Sequence, residues 1–143
     1  MAETTLLYLV KQLELAVRTR LDAVVSAEGL TVPQYTALTV LERTPGLTAA
    51  DLARNSFVRP QTMAEVITEL EQRGLISRTP DPRNQRRYLA TLTEAGAALL
   101  ESVRPAVTAV EAGMTERLSG DEVADLRRLL RACRETLAGS RAH

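Results

Sequence analysis

Apolar side chains recur along this chain at the three- and four-residue spacing of a helix nearly everywhere, and the pattern turns β-like in only one short place. The first stripe, Leu6, Leu9, Val10, Leu13, Val17, Leu21 and Val24, predicts a helix from about Thr5 to Ala27, closed by Gly29. Thr31-Val32-Pro33-Gln34 reads as a capping box with proline in the first turn, and a second helix runs to about Arg43 with Tyr35, Leu38 and Leu41 inward. Thr44-Pro45-Gly46 is a turn. Thr48-Ala49-Ala50-Asp51 opens a short third helix that carries Leu52 and Ala53 and ends near Ser56. Pro60 sits where the next helix begins; Met63, Val66, Ile67 and Leu70 form its apolar face through about Arg73, and Gly74 closes it.

After Gly74 the period changes. Leu75-Ile76-Ser77-Arg78 is β-like, Pro80 to Gln85 is rich in turn formers, and Arg87 to Leu92 reads as the returning strand. Together they predict a β-hairpin with a charged tip. Thr93 is placed to cap a further helix carrying Leu99, Leu100, Val103, Val107, Val110 and Met114, and Pro105 inside it is expected to kink or break it. Ser119-Gly120-Asp121-Glu122 is another capping box, followed by the stripe Val123, Leu126, Leu129, Leu130, Cys133 and Leu137. The predicted fold class is mainly α with a small β-hairpin. A short helix, a tight turn, a second helix opening on proline and a hairpin is the layout of a winged helix-turn-helix.

Composition narrows the chemistry. With 143 residues, 45% of them hydrophobic, the chain makes one compact domain. No apolar run approaches the roughly 20 residues that cross a bilayer, so no membrane partner is expected. Met1-Ala2-Glu3-Thr4-Thr5 lacks the layout of a secretion signal, so a cytoplasmic location is expected. Cys133 is the single cysteine and His143 the single histidine, which excludes an internal disulfide and a Cys/His zinc site within one chain. The place of Cys133 on an apolar stripe predicts a buried thiol acting as a small hydrophobe. No phosphate loop, no Ser-His-Asp set and no gathered carboxylates occur; neither an enzyme nor a cofactor is expected.

The formal net charge is zero, but the charges are unevenly placed. From Arg54 to Arg87 the basic residues Arg54, Arg59, Arg73, Arg78, Arg83, Arg86 and Arg87 outnumber Glu65, Glu69, Glu71 and Asp81. Projected at about 100° per residue, Gln61, Glu65, Thr68 and Gln72 fall opposite the apolar face of the fourth helix, with Thr62 and Glu69 on a flank. The N-terminal part of such an outer face meets base edges in a helix-turn-helix. Gln61, Thr62 and Glu65 are therefore candidate readers: Gln takes adenine, Thr takes polar groups or a thymine methyl, and Glu accepts from cytosine N4. Arg59, just ahead of that helix, joins them as a partner for Glu65. Arg83, Arg86 and Arg87 on the hairpin suit phosphates or a narrow minor groove. A solvated face is the plainer reading of any one of these residues; helix and basic hairpin together favour duplex DNA.

Several segments, taken in order, resemble the MarR family of bacterial transcriptional regulators. Leu47-Thr48-Ala49-Ala50-Asp51-Leu52-Ala53 resembles the first helix of the family's helix-turn-helix, and Pro60-Gln61-Thr62-Met63 through Leu70-Glu71-Gln72-Arg73-Gly74-Leu75 its recognition helix and exit. Asp81-Pro82-Arg83-Asn84-Gln85-Arg86 resembles the wing signature, and Leu92-Thr93-Glu94-Ala95-Gly96 the segment that follows it. The resemblance implies a winged helix-turn-helix DNA-binding lobe over 34–92 and a helical dimerisation region formed by 1–33 and 93–143. It implies a homodimer on a pseudo-palindromic operator, with recognition helices in the major groove and wing arginines in the minor groove. It also implies repression relieved by a small aromatic or phenolic effector bound between the dimer helices and the DNA-binding lobe. The competing class is a winged-helix protein–protein interaction module, which zero net charge, Glu65 and Glu69 would suit.

Overall fold

The computed structural model describes residues 2–139, which form six helices and one hairpin. The elements are α1 (Leu6–Ser26), α2 (Val32–Arg43), α3 (Ala49–Asn55), α4 (Pro60–Gln72), β1 (Ile76–Asp81), β2 (Asn84–Leu92), α5 (Glu94–Met114) and α6 (Gly120–Gly139). The described residues fall into two compact units that divide after Thr108. Among the described residues no helix is long and apolar enough to cross a membrane.

The helix starts follow the capping chemistry. Thr31 and Gln34 form a reciprocal box at α2: the Gln34 N–H donates to Thr31 Oγ1 at 3.3 Å and the Thr31 N–H to Gln34 Oε1 at 3.0 Å. Thr48 accepts the Asp51 N–H at α3. In the second unit, Ser119 and Glu122 make the same reciprocal pair at the start of α6.

The first unit is built on one core. Val25 and Leu30, Leu38 and Leu41 of α2, Leu52 of α3, and Met63, Ile67 and Leu70 of α4 are buried with Ile76 and Ala90 of the hairpin and Leu100 and Val103 of α5. Thr93 joins the hairpin to α5. Its hydroxyl donates to the Gly74 carbonyl at 2.7 Å and accepts the Gly96 N–H at 3.1 Å. Gly96 is needed there, because a Cβ at this position would overlap the Leu75 carbonyl oxygen.

Three expectations are corrected. Pro105 does not break its helix: α5 is continuous from Glu94 to Met114. Pro105 and Glu101, whose carbonyl loses its helical partner, both lie on the exposed side, where the freed oxygen stays in water. The hairpin turn is shorter than the run of turn formers predicts, since β1 continues through Pro80 and Asp81 and only Pro82 and Arg83 form the turn. A two-stranded sheet has only edge strands, and an edge tolerates the missing N–H of proline. Cys133 is exposed, not buried. No residue of α6 is buried in the single chain; on its stripe Val123 and Leu126 are half-buried, while Leu129 and Leu130 are about half exposed.

α1 is similar at its start: Leu6 is 80% exposed, and Val25 is the only buried residue of that helix.

α1, α3 and α4 close with the same pair of backbone bonds. Gly29 N–H reaches Ser26 O and Leu30 N–H reaches Val25 O; Gly74 N–H reaches Glu71 O and Leu75 N–H reaches Leu70 O. At α3 the matching donors are Phe57 to Arg54 O and Val58 to Ala53 O. This closure puts its penultimate residue in the left-handed region, where glycine is usual. Gly29 and Gly74 have φ of 74° and 71°, and Phe57 has φ 60°.

Candidate nucleic-acid interface

α4 begins without a side-chain cap. Arg59 occupies the N-cap position with extended backbone and makes no capping bond, and Pro60 follows it. The first-turn N–H groups therefore have no side-chain acceptor, which is the arrangement that receives a phosphate. Arg59, Gln61 and Glu65 are exposed, and Thr62 is half-buried against the apolar face. Thr68, farther along, turns its hydroxyl back onto the Ala64 carbonyl at 3.0 Å.

Two contacts orient this helix. Gln34, only 5% exposed, donates through Nε2 to Glu69 Oε2 and so ties α2 to α4. Arg78 of β1 donates to both carboxylate oxygens of Glu71, at 3.3 Å from Nε and 2.9 Å from a terminal nitrogen. The Arg78 hydrogen bond holds the Glu71 carboxyl below its ordinary range. Arg78 also lies 5.9 Å from the centre of the Tyr88 ring. The end of α4 is thus fastened to the base of the hairpin.

The wing is fixed from inside. Asp81 is 5% exposed and its carboxylate accepts the Arg83 N–H at 2.9 Å and the Arg87 guanidinium at 3.3 Å. Asn84 Oδ1 accepts the Arg86 N–H at 3.1 Å, so two short side chains set successive turns of the tip. β1 and β2 pair regularly from Ile76↔Leu92 to Pro80↔Tyr88, then shift to Asp81↔Asn84. Gln85, Arg86 and Arg87 fall in that shift, and such a bulge re-aims side chains. Ala90 exchanges backbone hydrogen bonds with Leu47, 2.8 Å and 3.2 Å, which anchors β2 just ahead of α3.

Of the seven residues singled out from the sequence, the structure divides four from three. Arg59, Gln61, Thr62 and Glu65 gather on the first turns of α4. Arg83, Arg86 and Arg87 sit on the hairpin. Arg86 and Arg87 line a cleft of about 460 Å3 against the start of α3, together with Arg54 and Arg78. The buried Ile67 and Ala90 line it as well, and so does the Asp51 carboxylate. Arg83 and Arg87 line a second, more polar cleft with Asp51 and Asp81. Gln34 and Asp81 are the functional supports that residue type alone does not reveal. Gln34 was visible as a capping residue but its second bond spans 35 positions, and Asp81 looked like one of several turn formers.

The chain is similar to known proteins. Residues 30–88 match the model of the MarR family. The HTH-type transcriptional repressor Rv2887 of Mycobacterium tuberculosis is 34% identical over 123 residues, covering 86% of this chain and 88% of that protein. The crystal structure of the M. tuberculosis MarR family protein Rv2887 in complex with DNA superposes with a TM-score of 0.77 at 32% identity, over 92% of this chain and 98% of that one. The same protein in complex with salicylic acid gives 0.76 at 33% identity, over 92% and 97%. A short helix and α4 locked to a bulged, arginine-bearing hairpin, in a chain similar to these proteins over 86–92% of its length, lead to one assignment: the protein belongs to the MarR family of winged helix-turn-helix transcriptional regulators.

Proposed function

We propose that the protein is a homodimeric repressor that reads a pseudo-palindromic DNA operator and releases it on binding a small aromatic acid. The observation that carries the DNA reading is the uncapped N-terminus of α4, presenting Gln61 and Glu65, held in the same lobe as a hairpin stiffened by buried Asp81. On this reading Gln61, Thr62 and Glu65 meet base edges in the major groove, Arg59 meets phosphate, and Arg83, Arg86 and Arg87 meet the minor groove or its backbone. Residues 34–92 are the DNA-binding lobe. Residues 1–33 and 93–143 supply dimerisation, supported by the exposed Leu6, Leu7, Leu129 and Leu130 of α1 and α6. The protein acts in the cytoplasm and carries no catalytic function.

The effector reading is supported by the cleft beside α3. Arg54, Arg78 and Arg87 in its lining are each paired with a carboxylate, which leaves Arg86, beside the apolar Ile67 and Ala90, as the guanidinium suited to a flat ring bearing a carboxylate, the chemistry of the salicylic acid that the relative binds. A ligand there weakens DNA binding only by its preference for the DNA-incompetent conformation.

The test is selection of bound duplexes from a random pool, followed by affinity measurements at several salt concentrations. A palindrome with half-sites about 34 Å apart is expected. No enrichment, with salt-insensitive or absent binding, would favour the protein-contact reading. Salicylate should lower affinity for the selected duplex; an undiminished effect in Arg78→Ala would place the effector outside this cleft.

A further inference from the structure

Phe57 is the one non-glycine residue with positive φ among the described residues, and it is also 89% exposed. Every backbone bond of the α3 closure is made without its side chain. The same closure at α1 and α4 uses glycine, at φ within 15° of the Phe57 value. Folding therefore favours glycine at position 57 twice over: the left-handed backbone disfavours a Cβ, and water disfavours the ring. Next to it the buried Ser56 hydroxyl has no hydrogen-bond partner. A turn set against local stability in this way points to a ring kept for contact with something outside the chain.

What lies outside follows from position. Phe57 precedes Pro60, the first residue of α4, by three residues, a span of at most about 11 Å. The major groove is about 12 Å wide, so a helix entering it by its N-terminus carries this turn to the groove edge. We propose that Phe57 makes an apolar contact with the DNA duplex at that edge, against a thymine methyl group or the face of a deoxyribose. The inference rests on the DNA-reading function proposed above. It adds a wholly apolar side chain to an interface otherwise made of Gln, Thr, Glu and Arg.

The test compares the parent with Phe57→Gly, Phe57→Ala and Phe57→Leu on the selected duplex, at two salt concentrations. The glycine variant should melt higher than the parent. The glycine and alanine variants should both bind about 10-fold more weakly, as expected for an apolar contact of this size. Their salt slope should be unchanged, because an apolar contact releases no counterion. Phe57→Leu should recover part of the loss. Replacing thymine by uracil separates the two surfaces: if the parent weakens and the glycine variant does not weaken further, the methyl is the partner; if the parent is indifferent, the sugar is. Parent-like binding by Phe57→Gly would overturn the proposal while leaving the DNA reading intact. So would a loss in the glycine variant alone, which would trace to backbone flexibility. A parent that enriches no duplex would overturn both.

Discussion

The Asp81 carboxylate and the Arg87 guanidinium meet at 3.3 Å across the hairpin, and the two differ sharply in setting: the acid is buried and the arginine about half exposed. Removing one partner is therefore not equivalent to removing the other. Arg87→Ala leaves a buried carboxylate with only the Arg83 N–H, and should cost about 1–3 kcal/mol of stability. Asp81→Asn keeps an oxygen for that N–H, and the freed guanidinium stays in water; its cost should be about 1 kcal/mol. Denaturant midpoints measure both. An equal or larger loss in Asp81→Asn would show that burial of the acid does not set the weight of the pair.

Arg83 and Arg86 stand apart from this pair, since only their backbone N–H groups are engaged by Asp81 and Asn84. Arg83→Ala and Arg86→Ala should change stability by no more than about 0.5 kcal/mol. Each should lower the slope of log affinity against log salt by about one, the effect of losing one phosphate contact. An unchanged slope for either would place that guanidinium away from DNA.

Glu65 is exposed one turn beyond Gln61, where a carboxylate repels phosphate on every sequence. It recovers that cost only where a cytosine N4 or a neighbouring arginine such as Arg59 meets it. Glu65→Gln should tighten binding to random duplex while gaining little, or losing up to about 1–3 kcal/mol, on the selected site. Affinities for both duplexes at two salt concentrations give the ratio. Equal gains on both would make Glu65 a general repeller; no change on either would turn this face of α4 away from DNA.

The Glu71–Arg78 pair predicts an acid-side effect. The folded carboxyl sits below its ordinary value of 4.5, so the pair contributes above that pH and loses its contribution as pH falls through the lowered value. Glu71→Gln should therefore show a shallower fall in melting temperature than the parent below about pH 4.5. Superimposable acid limbs would mean that this exposed bridge adds nothing measurable.

Much of the fold is legible in particular residues. The boxes Thr31/Gln34 and Ser119/Glu122, the Thr48 cap and the Gly29 and Gly74 stops placed helix ends where they are found, because these interactions close within a few positions. Pro80 misled the reading of the hairpin because its tolerance depends on lying at a sheet edge. Cys133 misled because a stripe states which residues share a helix face, not whether anything covers that face.

The division in the site has the same cause. The chain by itself determined which residues line the outer face of α4 and which charges ride on the wing, since both follow from helical period and turn chemistry. Only the tertiary structure decided that Gln34 grips Glu69, that Arg78 clasps Glu71, that Asp81 is buried under Arg87, and that a phenylalanine occupies a glycine's backbone conformation. The first three depend on pairings between separate elements, and the last on the φ with which α3 closes. Side-chain order along the chain encodes local geometry, whereas burial and long-range pairing exist only once the helices and hairpin have packed.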